Sequence, residues 1–115
     1  MELKEFYEKV GGDYEDVLRR LPAAGMVKKF VRKFMEDPSY GRLRTALEQE
    51  DIPTAFREAH TIKGTAANLG LDSLAVAATA LTEELRAATV LPEQKYVDAV
   101  VDAYDRTICA IRQIA

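Results

Sequence analysis

The chain has 115 residues, of which 48% are hydrophobic and 30% charged, with a formal net charge of -3. This suits one soluble globular domain, 1–115, with a core that needs no staples. The acidic balance excludes the basic field of a nucleic-acid binder, and no run reaches the roughly 18 apolar residues of a membrane span.

The opening Met1-Glu2-Leu3-Lys4-Glu5 is charged and carries no export pattern, so a cytoplasmic location is expected. Leu3, Phe6, Tyr7 and Val10 follow i, i+3, i+4, i+7 spacing and predict a short amphipathic helix. Gly11-Gly12 ends it, and Asp13 is placed to cap a second short helix through Leu18 and Leu21. These two helices occupy about 2–21, ahead of a bundle over about 22–115. Pro22 suits the start of the next helix, which should bury Val27, Phe30, Val31 and Phe34. Asp37-Pro38 breaks or kinks that helix, and Leu43, Ala46 and Leu47 continue its apolar stripe. Lys28, Lys29, Arg32 and Lys33 form a basic face opposite Phe30 and Phe34, expected to be solvated.

Asp51 is a natural N-cap for the following helix, with Pro53 in its first turn and Gly70 at its end. Asp72 is placed to cap another helix. There Leu71, Leu74, Ala78, Leu81, Leu85 and Ala88 recur at alternating three- and four-residue steps, a coiled-coil-like seam. Pro92 opens the last helix, whose face is Val97, Val100, Val101, Tyr104, Ile108 and Ile111. The single cysteine, Cys109, is expected to be a buried, inert thiol on that helix. Strand signals are weak throughout. The predicted fold is all-α: an antiparallel up-down four-helix bundle with short N-terminal helices.

The one histidine, His60, lies in His60-Thr61-Ile62-Lys63-Gly64, inside the Asp51–Gly70 helix. A mid-helix glycine costs about 1 kcal/mol relative to alanine, and Gly70 already terminates this helix. With Phe56 at zero on a helical wheel, Ala55, Ala59, Ile62, Ala66 and Leu69 span roughly 220° to roughly 300° and should face the core. His60 falls at roughly 40°, Ala67 at roughly 20° and Gly64 at roughly 80°, all outside that arc. Lys63, at roughly 340°, lies at its edge. A neutral imidazole, a mobile cation and bare backbone thus share one exposed strip. That combination suits phosphoryl transfer. Imidazole is a competent nucleophile near neutrality, and a transferring phosphoryl group needs cationic stabilisation. Glycine lets a partner approach closely. A di-iron site would need Glu-x-x-His pairs, but Arg57 stands three residues before the only histidine. Thr61 and Thr65 lack a second histidine to act as base.

His60-Thr61-Ile62-Lys63-Gly64-Thr65-Ala66-Ala67-Asn68-Leu69-Gly70 resembles the histidine phosphotransfer (HPt) domain pattern, His-x-x-Lys-Gly with a glycine six residues later. The likeness covers most of residues 22–88, and the opening helices resemble those of small stand-alone members. It implies a phosphorelay intermediate that takes a phosphoryl group from a receiver aspartyl phosphate and passes it to another receiver. His60 would be the phosphoacceptor, Lys63 the phosphate-side cation and Gly64 the point of close approach, with Phe56, Arg57, Thr61, Ala67 and Asn68 facing the partner. The expected partners are a response-regulator receiver domain and a hybrid histidine kinase, engaged by a monomer. The chain would be a phosphocarrier rather than an enzyme, with no cofactor of its own and any Mg²⁺ on the receiver. Family members often orient the histidine with a polar side chain from another helix, for which Lys28, Lys29 and Arg32 are candidates. A second reading is a helical adaptor that docks a receiver or kinase without carrying phosphate.

Overall fold

A computed structural model describes all 115 residues as seven helices joined by short turns, with no strand. They are α1 (Leu3–Lys9), α2 (Tyr14–Arg20), α3 (Ala24–Phe34), α4 (Ser39–Glu48), α5 (Ile52–Leu69), α6 (Asp72–Leu85) and α7 (Gln94–Ile111). Helices α4 to α7 pack consecutively, α4 on α5, α5 on α6 and α6 on α7. The links between these packed neighbours, residues 49–51, 70–71 and 86–93, are of the length that makes bundle neighbours antiparallel. The ring closes where Tyr40 of α4 stacks on Tyr104 of α7, with centroids 3.6 Å apart. The all-α bundle with short leading helices is therefore as expected.

Of the break or kink expected at Asp37-Pro38, the structure has the break, so the third helix is divided into α3 and α4. The Asp37 carboxylate accepts the Ser39 N–H at 2.8 Å, a local bond that competes with helix continuation, and Pro38 follows it. Helix α4 is thus the fourth member of the bundle, and α3 lies outside against α5 and α2. This explains why Phe30 departs from expectation. Val27, Val31 and Phe34 are buried, but Phe30 remains 38% exposed because α3 is covered along one narrow line.

Capping chemistry sets most boundaries. Asp13 accepts the N–H groups of Glu15 and Asp16 at 3.0 and 3.3 Å, and Asp51 accepts that of Thr54 at 3.2 Å. Gly70, with φ of 73°, lets the Leu71 and Gly70 N–H groups return to the carbonyls of Ala66 and Ala67 at 2.8 and 3.2 Å, a Schellman closure. Three boundaries move. Leu71, not Asp72, is the N-cap of α6. Its carbonyl already accepts the Ala75 N–H, so Asp72 is the first helical residue, where its charge opposes the helix dipole. Pro22 and Pro92 each precede the capping residue, because α3 and α7 begin only at Ala24 and Gln94.

One cluster of 26 buried apolar residues runs from Leu3, Phe6, Tyr7 and Val10 of the N-terminal segment through the bundle to Ile111 and Ile114. The small helices close the bundle end at which α5 stops, α6 starts and α7 stops. There Ser73 N–H donates to Val10 O, and the Tyr7 hydroxyl donates to Leu69 O at 2.7 Å. The buried face of α7 is centred on Val100, Ala103, Thr107, Ala110 and Ile111, leaving Val97, Val101, Tyr104 and Ile108 half-buried. Thr107 enters the core because its hydroxyl donates to Ala103 O at 2.7 Å. Cys109 falls on the opposite side and is exposed, not buried as expected.

Burial, more than its neighbouring charges, pushes the Tyr7 phenol far above its ordinary range. The folded state keeps this proton at pH values where the unfolded chain releases it, near pH 10. Its contribution is therefore complete below pH 10 and is lost as pH rises beyond that. Tyr7→Phe should cost about 1 kcal/mol at neutral pH, because the Leu69 carbonyl loses its donor. Chemical denaturation at pH 7 and pH 10.5 tests both statements. The variant should show a smaller alkaline loss than the parent, and equal losses would contradict this role for Tyr7.

Candidate functional site

The 18-residue helix α5 carries the site. Its register is as the wheel requires: Ala55, Ala59, Ile62, Ala66 and Leu69 are buried, whereas His60, Gly64 and Ala67 are exposed and Lys63 is half-buried. The His60 ring stands 6.0 Å from that of Phe56, one turn earlier, at a tilt of 50°. A Cβ built on Gly64 would meet no atom of the protein within 4 Å. Nothing inside the molecule therefore requires glycine there. By contrast, a Cβ at Gly12 would collide with the Gly70 carbonyl oxygen, and one at Gly70 with Val17.

The remaining partner-facing candidates are distributed along this surface. Phe56 is half-buried beneath the Arg86 guanidinium, which lies 5.1 Å from the ring centroid. Arg57, Thr61 and Asn68 are exposed. Arg57 donates to Thr54 Oγ1 at 3.1 Å, and the Thr61 hydroxyl donates back to the Arg57 carbonyl at 3.0 Å. These bonds hold both side chains along the helix.

Helix α6 and the residue that caps it supply groups that spacing alone did not single out. Glu83 is bridged by Arg86, with Nη2 to Oε1 at 3.1 Å and Nε to Oε2 at 3.3 Å. Those hydrogen bonds, first of all, hold the Glu83 carboxyl below its usual range, and Lys63 and His60 add weaker attraction. Helix α6, which carries Glu83, packs against α5. Val76 and Ala80 precede Glu83 by seven and three residues on the same stripe, and both are exposed. No candidate on α3 forms a hydrogen bond to His60. Arg32 is engaged elsewhere, donating to the Ala115 and Ile114 carbonyls at 2.9 and 3.3 Å. Lys28 and Lys29 form no hydrogen bond to α5. No sequence signal marks Glu83 or Arg86, because an i, i+3 ion pair on an exposed helix face is commonplace.

A lone exposed imidazole, a flanking lysine stem and an open glycine lie on the second helix of an antiparallel bundle. Against known families, residues 25–108 match the Hpt domain. The chain belongs to the Hpt domain family. Neither the curated proteins nor the solved structures gave a match. Hpt domains act in histidine phosphotransfer within two-component signalling, as carriers of the phosphoryl group that engage receiver domains and kinases. No helix of the chain is long and apolar enough to cross a membrane.

Proposed function

We propose that this Hpt domain accepts a phosphoryl group on His60 from a receiver aspartyl phosphate and returns it to a second receiver. The observation that carries this reading is the open space over Gly64 beside an exposed imidazole, in a helix whose buried arc is fully accounted for. In the transfer step the lone pair of the unprotonated ring nitrogen forms the N–P bond. The acyl P–O bond breaks, and its electron pair leaves with the aspartate carboxylate. The ring proton stays on the other nitrogen, so this step needs no base. Lys63 sends its ammonium along the strip to the phosphoryl oxygens, where charge spread over three atoms requires a cation. Any Mg²⁺ belongs to the receiver, whose carboxylates supply the oxygen ligands that ion prefers. Glu83 is a candidate to orient the imidazole, and its pairing with Arg86 tempers its repulsion of an incoming phosphate.

The test is incubation with a phosphorylated receiver, following acid-labile, base-stable label on this chain. The parent should be labelled, and His60→Gln should fall to background while keeping its helical content. Persistent labelling of His60→Gln would remove the assignment. If His60→Gln instead kept both receiver binding and signalling output, the adaptor reading would replace it.

A further inference from the structure

The family match begins at residue 25, leaving α1 and α2 outside it. Those helices do more than close the bundle. They set Arg20 against the end of the phosphotransfer helix, where its guanidinium donates to Asn68 O at 3.2 and 3.4 Å and to Ala67 O at 3.4 Å. Asp16 accepts from Arg20 Nη1 at 2.7 Å and from Arg19 Nη1 at 3.0 Å. The three charges sum to +1. The Arg20 side chain remains 38% exposed and borders a shallow concavity of about 500 Å³ with Gly64, Thr65, Ala67 and Asn68. It is the one charged residue of the five lining that space. The concavity continues the His60 strip toward the end of α5.

We infer that Arg20 is a docking residue for the receiver, taking a carboxylate at the rim of the receiver's phosphorylation site. The inference rests on the phosphotransfer reading of His60. Asn68 lies eight residues beyond His60, about 12 Å along the helix axis, so a group bound at Arg20 is not the transferring phosphoryl group. It belongs to the surface around it. A protein that carries an acyl phosphate and binds Mg²⁺ must gather carboxylates there, and a fixed cation at the edge of the strip complements them. Four hydrogen bonds hold the guanidinium, so little side-chain freedom remains to be lost on docking.

The rival role for Arg20 is structural, as a clamp on the last carbonyls of α5. Two variants separate them. Arg20→Gln removes the cation, whereas Asp16→Asn loosens the clamp but raises the local positive charge. Both are measured for transfer from a phosphorylated receiver that labels the parent, over a range of receiver concentrations and salt. The expected result for Arg20→Gln is a half-saturating receiver concentration about fivefold higher, an unchanged maximal rate and a shallower salt dependence. Arg20→Lys should restore part of this. Asp16→Asn should lower the half-saturating concentration. If both variants raise it, or if only the maximal rate or the melting temperature changes, Arg20 is structural and the inference fails. If no receiver labels the parent, the phosphotransfer reading fails first and takes this inference with it.

Discussion

Gly64→Arg is expected to slow receiver-dependent transfer about a hundredfold while leaving the bundle folded, because displacing the partner by even an ångström spoils in-line geometry. Within the molecule a side chain at this position meets nothing, so no packing is disturbed. Replacing a mid-helix glycine with a good helix former should even stabilise the fold, by about 0.7 kcal/mol. The loss would therefore have to arise outside the molecule, in the space a partner occupies. Gly64→Ala serves as the companion, with a similar gain in stability and a smaller effect on transfer. Thermal melting and single-turnover transfer on the same preparations give both quantities. A normal transfer rate in Gly64→Arg would show that no partner comes close to this strip.

Gly12→Ala should destabilise the protein by about 2 to 3 kcal/mol. Its Cβ would collide with the Gly70 carbonyl oxygen and come within 2.9 Å of the Tyr7 ring, and both are held in place. Gly70 is pinned by the turn that ends α5, and Tyr7 by its bond to Leu69 O. Backbone must move, and α1 and α2 would be levered away from the bundle. Urea denaturation measures the loss. Stability equal to the parent's would mean that the small helices are only loosely attached.

The same pair of glycines shows how far the residues themselves can be read. Gly64 is legible because the helix around it is strongly periodic. The buried residues on one arc leave its position exposed and its cost unexplained. Gly12 reads in the sequence as a simple helix break, since its contact partner Gly70 is remote along the chain and no local pattern reports it. Phe30 and Cys109 depart from expectation for related reasons. Periodicity shows which residues are apolar, not how wide a strip the neighbouring helix covers. In α3 the cover is narrow because Asp37 and Pro38 hand the fourth bundle position to α4. In α7 the buried face turns toward Ala103 and Thr107, a small residue and a threonine that satisfies its own hydroxyl. The site divides likewise. His60, Lys63 and Gly64 share one helix and can be aligned by register, whereas Glu83, Arg86 and Arg20 reach it only through tertiary packing.

The transfer and docking predictions presuppose that His60 carries the phosphoryl group. The most direct measurement is to find where that group sits after a phosphorylated receiver has been mixed with the parent chain. Phosphorus NMR and peptide fragmentation under neutral conditions should give one phosphoramidate, at His60, which disappears when unphosphorylated receiver is added in excess. A phosphoryl group on any other residue, or none on this chain while the receiver loses its own at an unchanged rate, would contradict the account.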